Sequence, residues 1–213
     1  MSGYLRDVAL LTRKDVLLEL RARDAVPALL LFVVSALVVF HFALPADAAE
    51  LAAKGMLWVA ILFTALLGLG RAFQAERQQS MLDGLLLAPC DRSAIWLAKT
   101  LATIVFLGVA ELVALPAFAL FFSALDWETV AGIALANLGI CAVGTLVAAM
   151  ALASRARELL LPLLFLPLAI PIVVGGVGAS VADDGGRYLG FLALYDAVFA
   201  IISWASFEYV VTE

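Results

Sequence analysis

Long apolar blocks alternate with short charged intervals along most of this chain, and only the N-terminal segment breaks the pattern. There Tyr4, Val8, Leu11 and Leu18 recur at the 3.6-residue period of a helix, with Arg6, Arg13, Lys14 and Arg21 on the opposite side. Asp15 intrudes on the apolar stripe and Leu17 on the basic face. Residues 4–24 therefore read as an amphipathic helix. Lying ahead of an apolar block, it is placed to rest in a membrane interface; the alternative is a solvated helix packed on the protein's own loops.

Six apolar blocks follow. The first runs from about Pro27 to Leu44, with Pro27 suited to a first helical turn and Pro45 just past the end. The second runs from about Gly55 to Gly70, with a start as early as Leu51 left open. It is short for a bilayer, so Lys54 is expected to snorkel. The third, from Ile95 or Lys99 to Leu125, starts behind a cap at Asp91 or Ser93 and contains Glu111 and Pro116. An acidic turn, Asp126-Trp127-Glu128, leads to the fourth, Thr129 to Ala153. That block is uncharged and rich in Gly and Ala, which let helices approach closely, so it is predicted to lie in the bundle interior.

The fifth block begins at Leu159 and is irregular: Pro162, Pro167 and Pro171, then Gly175, Gly176 and Gly178. Repeated proline removes helical hydrogen bonds. The expectation is a helix that ends early, followed by short re-entrant pieces towards Arg187, with a single kinked span as the equal alternative. The sixth block, Leu189 to Val211, carries Asp196 and Glu208.

Composition turns these blocks into membrane spans. The 213 residues are 65% hydrophobic and only 15% charged, with a mean hydropathy of +1.10. A soluble domain of this size could not cover that much apolar surface, so the solvent is lipid. The fold class predicted is an all-α membrane protein with six transmembrane helices, residues 1–213 forming one transmembrane domain. No cleavable signal peptide, internal repeat or low-complexity tract is expected. Cys90 and Cys141 fall at different depths, so no disulfide joins them.

The net charge of −5 matters less than where the basic residues lie. Eleven of the 13 fall in three intervals: Arg6, Arg13, Lys14, Arg21 and Arg23; Arg71, Arg77, Arg92 and Lys99; Arg155 and Arg157. Lys54 and Arg187 are left on the other side. Positive residues stay inside, which places both termini and the 71–99 loop in the cytoplasm. In that loop Asp83, Gly84, Leu85, Leu86, Leu87, Ala88 and Pro89 form an apolar run too short to span a bilayer. An apolar run in water needs a cover. With Asp91 and Arg92 it is read as a docking segment.

Little else carries chemistry. No phosphate-binding G-x-x-x-x-G-K-[ST] is present, so any ATP chemistry must come from another chain, and the glycine cluster at 176–181 fails the dinucleotide fingerprint. No metal-ligand cluster or haem-attachment motif is visible. His41, the only histidine, lies at the outer end of the first span. It is a candidate haem contact, with an interfacial residue as the plainer reading. Glu111 and Asp196 each lie well inside a span, where a charge costs roughly 2.5–3.5 kcal/mol on insertion scales. They are candidates for a polar path or gate, or for an interhelical hydrogen bond. Glu208 can reach the interface and is read as structural.

Three stretches carry a resemblance: Lys14 to Asp24 (KDVLLELRARD), Gly84 to Ile95 (GLLLAPCDRSAI) and Leu194 to Phe199 (LYDAVF), with Pro167 to Pro171 (PLAIP) beside them. Together they resemble CcmB, the membrane subunit of the haem exporter of bacterial cytochrome c maturation. The likeness covers nearly the whole length in order, and the 84–95 motif is its most specific part. It implies an exporter-type (ABC-2-like) permease of six spans. Two copies would pair with two of the ATPase subunit CcmA, with residues 71–99 as the coupling loop and 1–24 as an elbow helix. It also implies association with CcmC, CcmD and the periplasmic haem chaperone CcmE in the bacterial inner membrane. Haem would be cargo, not a bound cofactor. The competing readings are an ABC permease for a lipid, glycan or drug, and a membrane scaffold or intramembrane enzyme using Glu111 and Asp196. No nucleophile–base or metal constellation accompanies those two carboxylates.

Overall fold

A computed structural model describes residues 2–21, 25–43, 49–73, 90–122, 124–152 and 156–212. Among them the chain forms seven helices: α1 (Ser2–Arg21), α2 (Ala25–Ala43), α3 (Ala49–Arg71), α4 (Arg92–Phe121), α5 (Trp127–Leu152), α6 (Arg157–Val181) and α7 (Gly185–Thr212). The bundle is organised around α5, which packs against α3, α4, α6 and α7. As expected of its small residues, α5 is the most buried of the long apolar helices, from Thr129 and Ile133 to Ala148 and Ala151, with an exposed stripe at Val130, Ala134 and Leu138. Gly144 faces Leu69 of α3, and Gly139 faces Asp196 of α7 and Ile172 of α6. In lipid, where apolar surface gains nothing from leaving its solvent, such close packing is what holds helices together.

Contacts define the two ends of the bundle. At one end α1 meets the end of α3 through Arg71 and Glu19, at 2.9 Å. It meets the start of α4 through Ser93 and Tyr4, at 3.2 Å. The end of α7 joins them through Arg92 and Glu208, at 3.7 Å. At the other end Lys54 of α3 donates to Asp126, in the turn between α4 and α5, and to the carbonyl of Ser180 near the end of α6, each at 2.6 Å. Helix α2 carries the chain from the first end to the second. Its Leu29 packs on Phe106 and Ala110, and its His41 lies 5.5 and 5.6 Å from the rings of Phe121 and Phe122.

Among the described residues five helices are long and apolar enough to cross a membrane: α3 from Ala52, α4, α5, α6 from Leu159, and α7 to Val211. This makes the chain an all-α, multi-pass membrane protein. The count differs from the six spans expected, because the apolar part of α2, Pro27–Ala43, is shorter. At the helical rise it measures about 26 Å, against about 30 Å of hydrocarbon.

The broken or re-entrant segment expected after the fifth block is a second difference. Helix α6 runs unbroken through Pro162, Pro167 and Pro171 to Val181 and turns directly into α7. A proline removes only its own N–H, whereas irregular backbone would expose many unpaired groups to lipid. Side chains of neighbouring helices also bond to α6. The Tyr195 hydroxyl donates to the Leu168 carbonyl at 2.6 Å, one residue beyond the Pro167 carbonyl that Pro171 deprives of its donor. The Trp58 indole N–H donates to Ser180 Oγ at 2.9 Å, and Ser180 Oγ donates back to the Gly176 carbonyl at 2.9 Å.

Trp58 lies against Gly176 so closely that a methyl there would run into the indole ring. Gly176→Ala gains about 1 kcal/mol of helix propensity. It meets an overpacking cost of roughly 1–3 kcal/mol, because a buried ring cannot step aside. It should lower the unfolding temperature in detergent. Gly190→Ala, with open space at its Cβ, should leave that temperature unchanged or raise it.

Candidate functional site

Of the predicted docking residues, Asp83, Gly84, Leu85, Leu86, Leu87, Ala88 and Pro89 lie outside the described residues. Both ends of the segment that holds them are described. Its entry is the last turn of α3, where Ala72 N–H donates to Leu69 O at 3.2 Å and Phe73 is buried in the main core. Its exit is Asp91, whose extended backbone (φ −65°, ψ 133°) and side chain cap α4 by accepting from Ser93 N–H at 2.9 Å. Arg92 follows as the first residue of α4 and reaches Glu208.

A buried lysine stands behind the entry. Lys99 is 3% exposed. Its ammonium lies 3.1 Å from Asp15 of α1, donates to the Ala72 carbonyl at 2.9 Å and sits 5.0 Å from the centre of the Phe73 ring. Burying a charge is tolerated only where its donors are satisfied, and two separate elements, α1 and the end of α3, supply partners here. A cavity of about 40 Å³ opens beside it, lined by Asp15, Glu19, Arg71 and Lys99 over Gly68 and Phe106.

The intramembrane carboxylates are kept apart. Glu111 of α4 accepts from Asn137 Nδ2 of α5 at 2.7 Å and borders a narrow apolar cleft between α2, α3 and α4 that also contains Thr64. Asp196 is 8% exposed and lies against Gly139. Neither of its oxygens has a hydrogen-bond partner among the described residues. Asn137 and Gly139 are two residues apart, about 200° around α5, so the two acids approach that helix from opposite sides. They form no shared site, which removes the geometry that a carboxylate-pair enzyme needs. Among the described residues no group of three or more His, Cys, Asp or Glu side chains could hold a metal ion. Cys90 and Cys141 are unbridged. His41 is exposed, with the rings of Phe42, Phe121 and Phe122 at 5.3 to 5.6 Å.

Lys54 is not the snorkelling residue expected. It turns inwards to Asp126 and Ser180 because a carboxylate and a helix-end carbonyl wait there. Partial burial pushes the Asp126 carboxyl up, but the hydrogen bond and charge of Lys54 and the Thr129 N–H outweigh it and hold it below its ordinary value.

The sequence reading missed Lys99, Asn137 and the Lys54–Asp126 pair. One signal was available: Asp15 on the apolar stripe of α1 marks a charge that needs a partner in the bundle. Nothing in sequence spacing joins Lys54 to Asp126 or Asn137 to Glu111, since those contacts depend on how non-adjacent helices pack.

The fold defines a multi-pass helical membrane protein. Comparison with known proteins makes the class particular. The family model described as "CcmB protein" matches residues 6–207. The "Heme exporter protein B" of Bradyrhizobium diazoefficiens is 32% identical over 178 residues, covering 81% of this chain and 80% of the relative. That of Paracoccus denitrificans is 31% identical over 163 residues, covering 72% and 74%. That of Rhodobacter capsulatus is 34% identical over 128 residues, covering 58% of each. The chain belongs to the CcmB family and is a non-catalytic permease subunit of the inner membrane.

The depressed carboxyl of Asp126 gives its pairing with Lys54 a pH window. Its contribution is fully present above the ordinary aspartate value of about 4 and is lost as acid carries the pH below that. In detergent, the unfolding temperature of the wild type should therefore fall more between about pH 6 and about pH 3 than that of Asp126→Asn. Equal losses would show that the pair adds nothing to stability.

Proposed function

We propose that this chain couples ATP hydrolysis by a separate ATPase subunit to haem export, or to release of the haem-loaded periplasmic chaperone, in the biogenesis of c-type cytochromes. Family membership over residues 6–207 carries the reading. The relatives named as haem exporters support the cargo, and the apolar run Leu85-Leu86-Leu87 in a basic interval supports the coupling. Residues 1–213 act as one transmembrane domain. It crosses the membrane six times, with α2 as the sixth crossing, and α1 serves as the elbow helix. Both termini and residues 71–99 face the cytoplasm, in keeping with the distribution of Lys and Arg. The partners are the ATPase subunit CcmA, a second copy of this chain, CcmC, CcmD and the chaperone CcmE.

Residues Asp83 to Pro89, with Asp91 and Arg92, dock on the ATPase. Glu111, which borders the α2–α3–α4 cleft, and Asp196, without a hydrogen-bond partner among the described residues and lying against α5, are the gate groups. His41 is the outer contact for haem: an exposed imidazole amid three phenyl rings suits an aromatic macrocycle.

Two experiments test this. Replacing Leu85 and Leu86 with Asp should cut the ATPase subunit recovered with the purified permease at least tenfold without unfolding the bundle; full recovery would sink the docking assignment. Cells lacking the chain should lose c-type cytochromes. If haem-loaded chaperone then accumulates, the subunit works in release. If the chaperone carries no haem, the subunit works in delivery, and substitution of His41, Glu111 or Asp196 should lower haem loading. Normal cytochromes in those cells would overturn the proposal.

A further inference from the structure

Helix α1 touches both ends of the docking segment. At the exit, Tyr4 meets Ser93 Oγ at 3.2 Å, beside the Asp91 cap. Val8 packs on Ala94 and Ala98 of the first turns of α4. At the entry, two turns further along α1, Asp15 holds Lys99 at 3.1 Å and Glu19 holds Arg71 at 2.9 Å. The two contacts at the entry differ in kind. Arg71 and Glu19 are both partly exposed, and such a pair contributes little. Lys99 is buried, and it grips the backbone itself: its ammonium donates to the carbonyl of Ala72 and lies over the ring of Phe73. Those are the last described residues before position 74. The Ala72 carbonyl is also among the orphan acceptors at a helix end, so Lys99 satisfies a group that α3 cannot.

We propose that Lys99 and Asp15 are positioning residues for coupling. Through them α1 holds the entry of the docking segment in register with its exit, so that a push on residues 74–89 is delivered to α1 and α4 together. The proposal rests on the assignment of residues 83–92 as the ATPase dock and goes beyond it, since neither lysine nor aspartate belongs to that run. The pair touches neither nucleotide nor cargo. It acts by removing slack at one of the two points where the segment joins the bundle. Without it α3 could end a turn earlier or later, and movement of the segment would be absorbed there.

Losing a positioning residue should separate hydrolysis from transport. The assembled complex of permease and ATPase subunits would be purified with Lys99→Met, with Asp15→Asn, with Lys99→Arg and with Thr12→Ala. Lys14 lies 3.1 Å from Asp15, so the carboxylate keeps a cation when Lys99 is replaced. Arginine retains donors for both Asp15 and the Ala72 carbonyl. Thr12→Ala removes a different contact between α1 and α4, the hydrogen bond to the Ala98 carbonyl. For Lys99→Met and Asp15→Asn the expected result is normal recovery of the ATPase subunit, ATP hydrolysis within about twofold of wild type, and a fall of at least tenfold in c-type cytochrome yield in cells. Lys99→Arg should restore most of that yield, and Thr12→Ala should keep it.

Wild-type yield with Lys99→Met would overturn the proposal. So would loss of assembly in that variant, or an equal loss with Thr12→Ala, since either makes the contact a packing contact alone. Failure of the wild-type permease to recover the ATPase subunit at all would count against the docking assignment instead, and the two failures are therefore distinguishable.

Discussion

Helix α5 can pack closely against four other helices because its side chains from Thr129 onward are uncharged and many of them small, and the rest of the bundle depends on that. In lipid no hydrophobic force drives one apolar helix onto another, so affinity comes from close contact and from the few polar bonds between helices. Gly139 and Gly144 let α7, α6 and α3 approach the α5 backbone to within side-chain contact. Gly176 lets the Trp58 indole sink between α3 and α6 and reach Ser180. Through α5, helices far apart in sequence share one continuous core.

At each end of that core a lysine closes what packing leaves open. Lys54 joins one carboxylate, Asp126, to one helix-end carbonyl, Ser180. Lys99 joins one carboxylate, Asp15, to one helix-end carbonyl, Ala72. The chemistry is the same, because the need is the same: the last carbonyls of a helix have no intrahelical donor, and an ammonium with three donors can serve one of them while a carboxylate offsets its charge. The surroundings differ. Lys54 ties α3, the α4–α5 turn and α6 at the end expected to face outwards. Lys99 ties α1, α3 and α4 at the end where the chain leaves α3 and enters α4. The Lys54 clasp braces one end of the bundle, and the Lys99 clasp braces the other.

The same helix that unites the bundle divides its polar interior. Glu111 and Asn137 meet on one side of α5, and Asp196 lies on the other against Gly139. Two carboxylates that looked comparable in sequence thus have different surroundings. One is hydrogen-bonded beside a cleft; the other is unpartnered between helices among the described residues. A gate role for either therefore has to be argued helix by helix.

Periodicity and composition determined a great deal of this protein. Blocks of about 20 apolar residues can only be helices in lipid, since no other element satisfies its own backbone there. The small residues of α5 announced its interior position, and Asp91 announced the start of α4. The resemblance carried by Gly84 to Ile95 identified the family. Three matters were decided only by tertiary structure. Whether the fifth block runs on as one helix through three prolines depended on the bundle around it, since irregular backbone would leave unpaired groups facing lipid. Whether Lys54 snorkels depended on where Asp126 and Ser180 came to lie. Why Asp15 interrupts an apolar stripe depended on Lys99, 84 positions away in sequence. In each case a polar group in a low-dielectric interior takes its meaning from its partner. Partners on non-adjacent helices are brought together by packing, and no spacing along the chain records them.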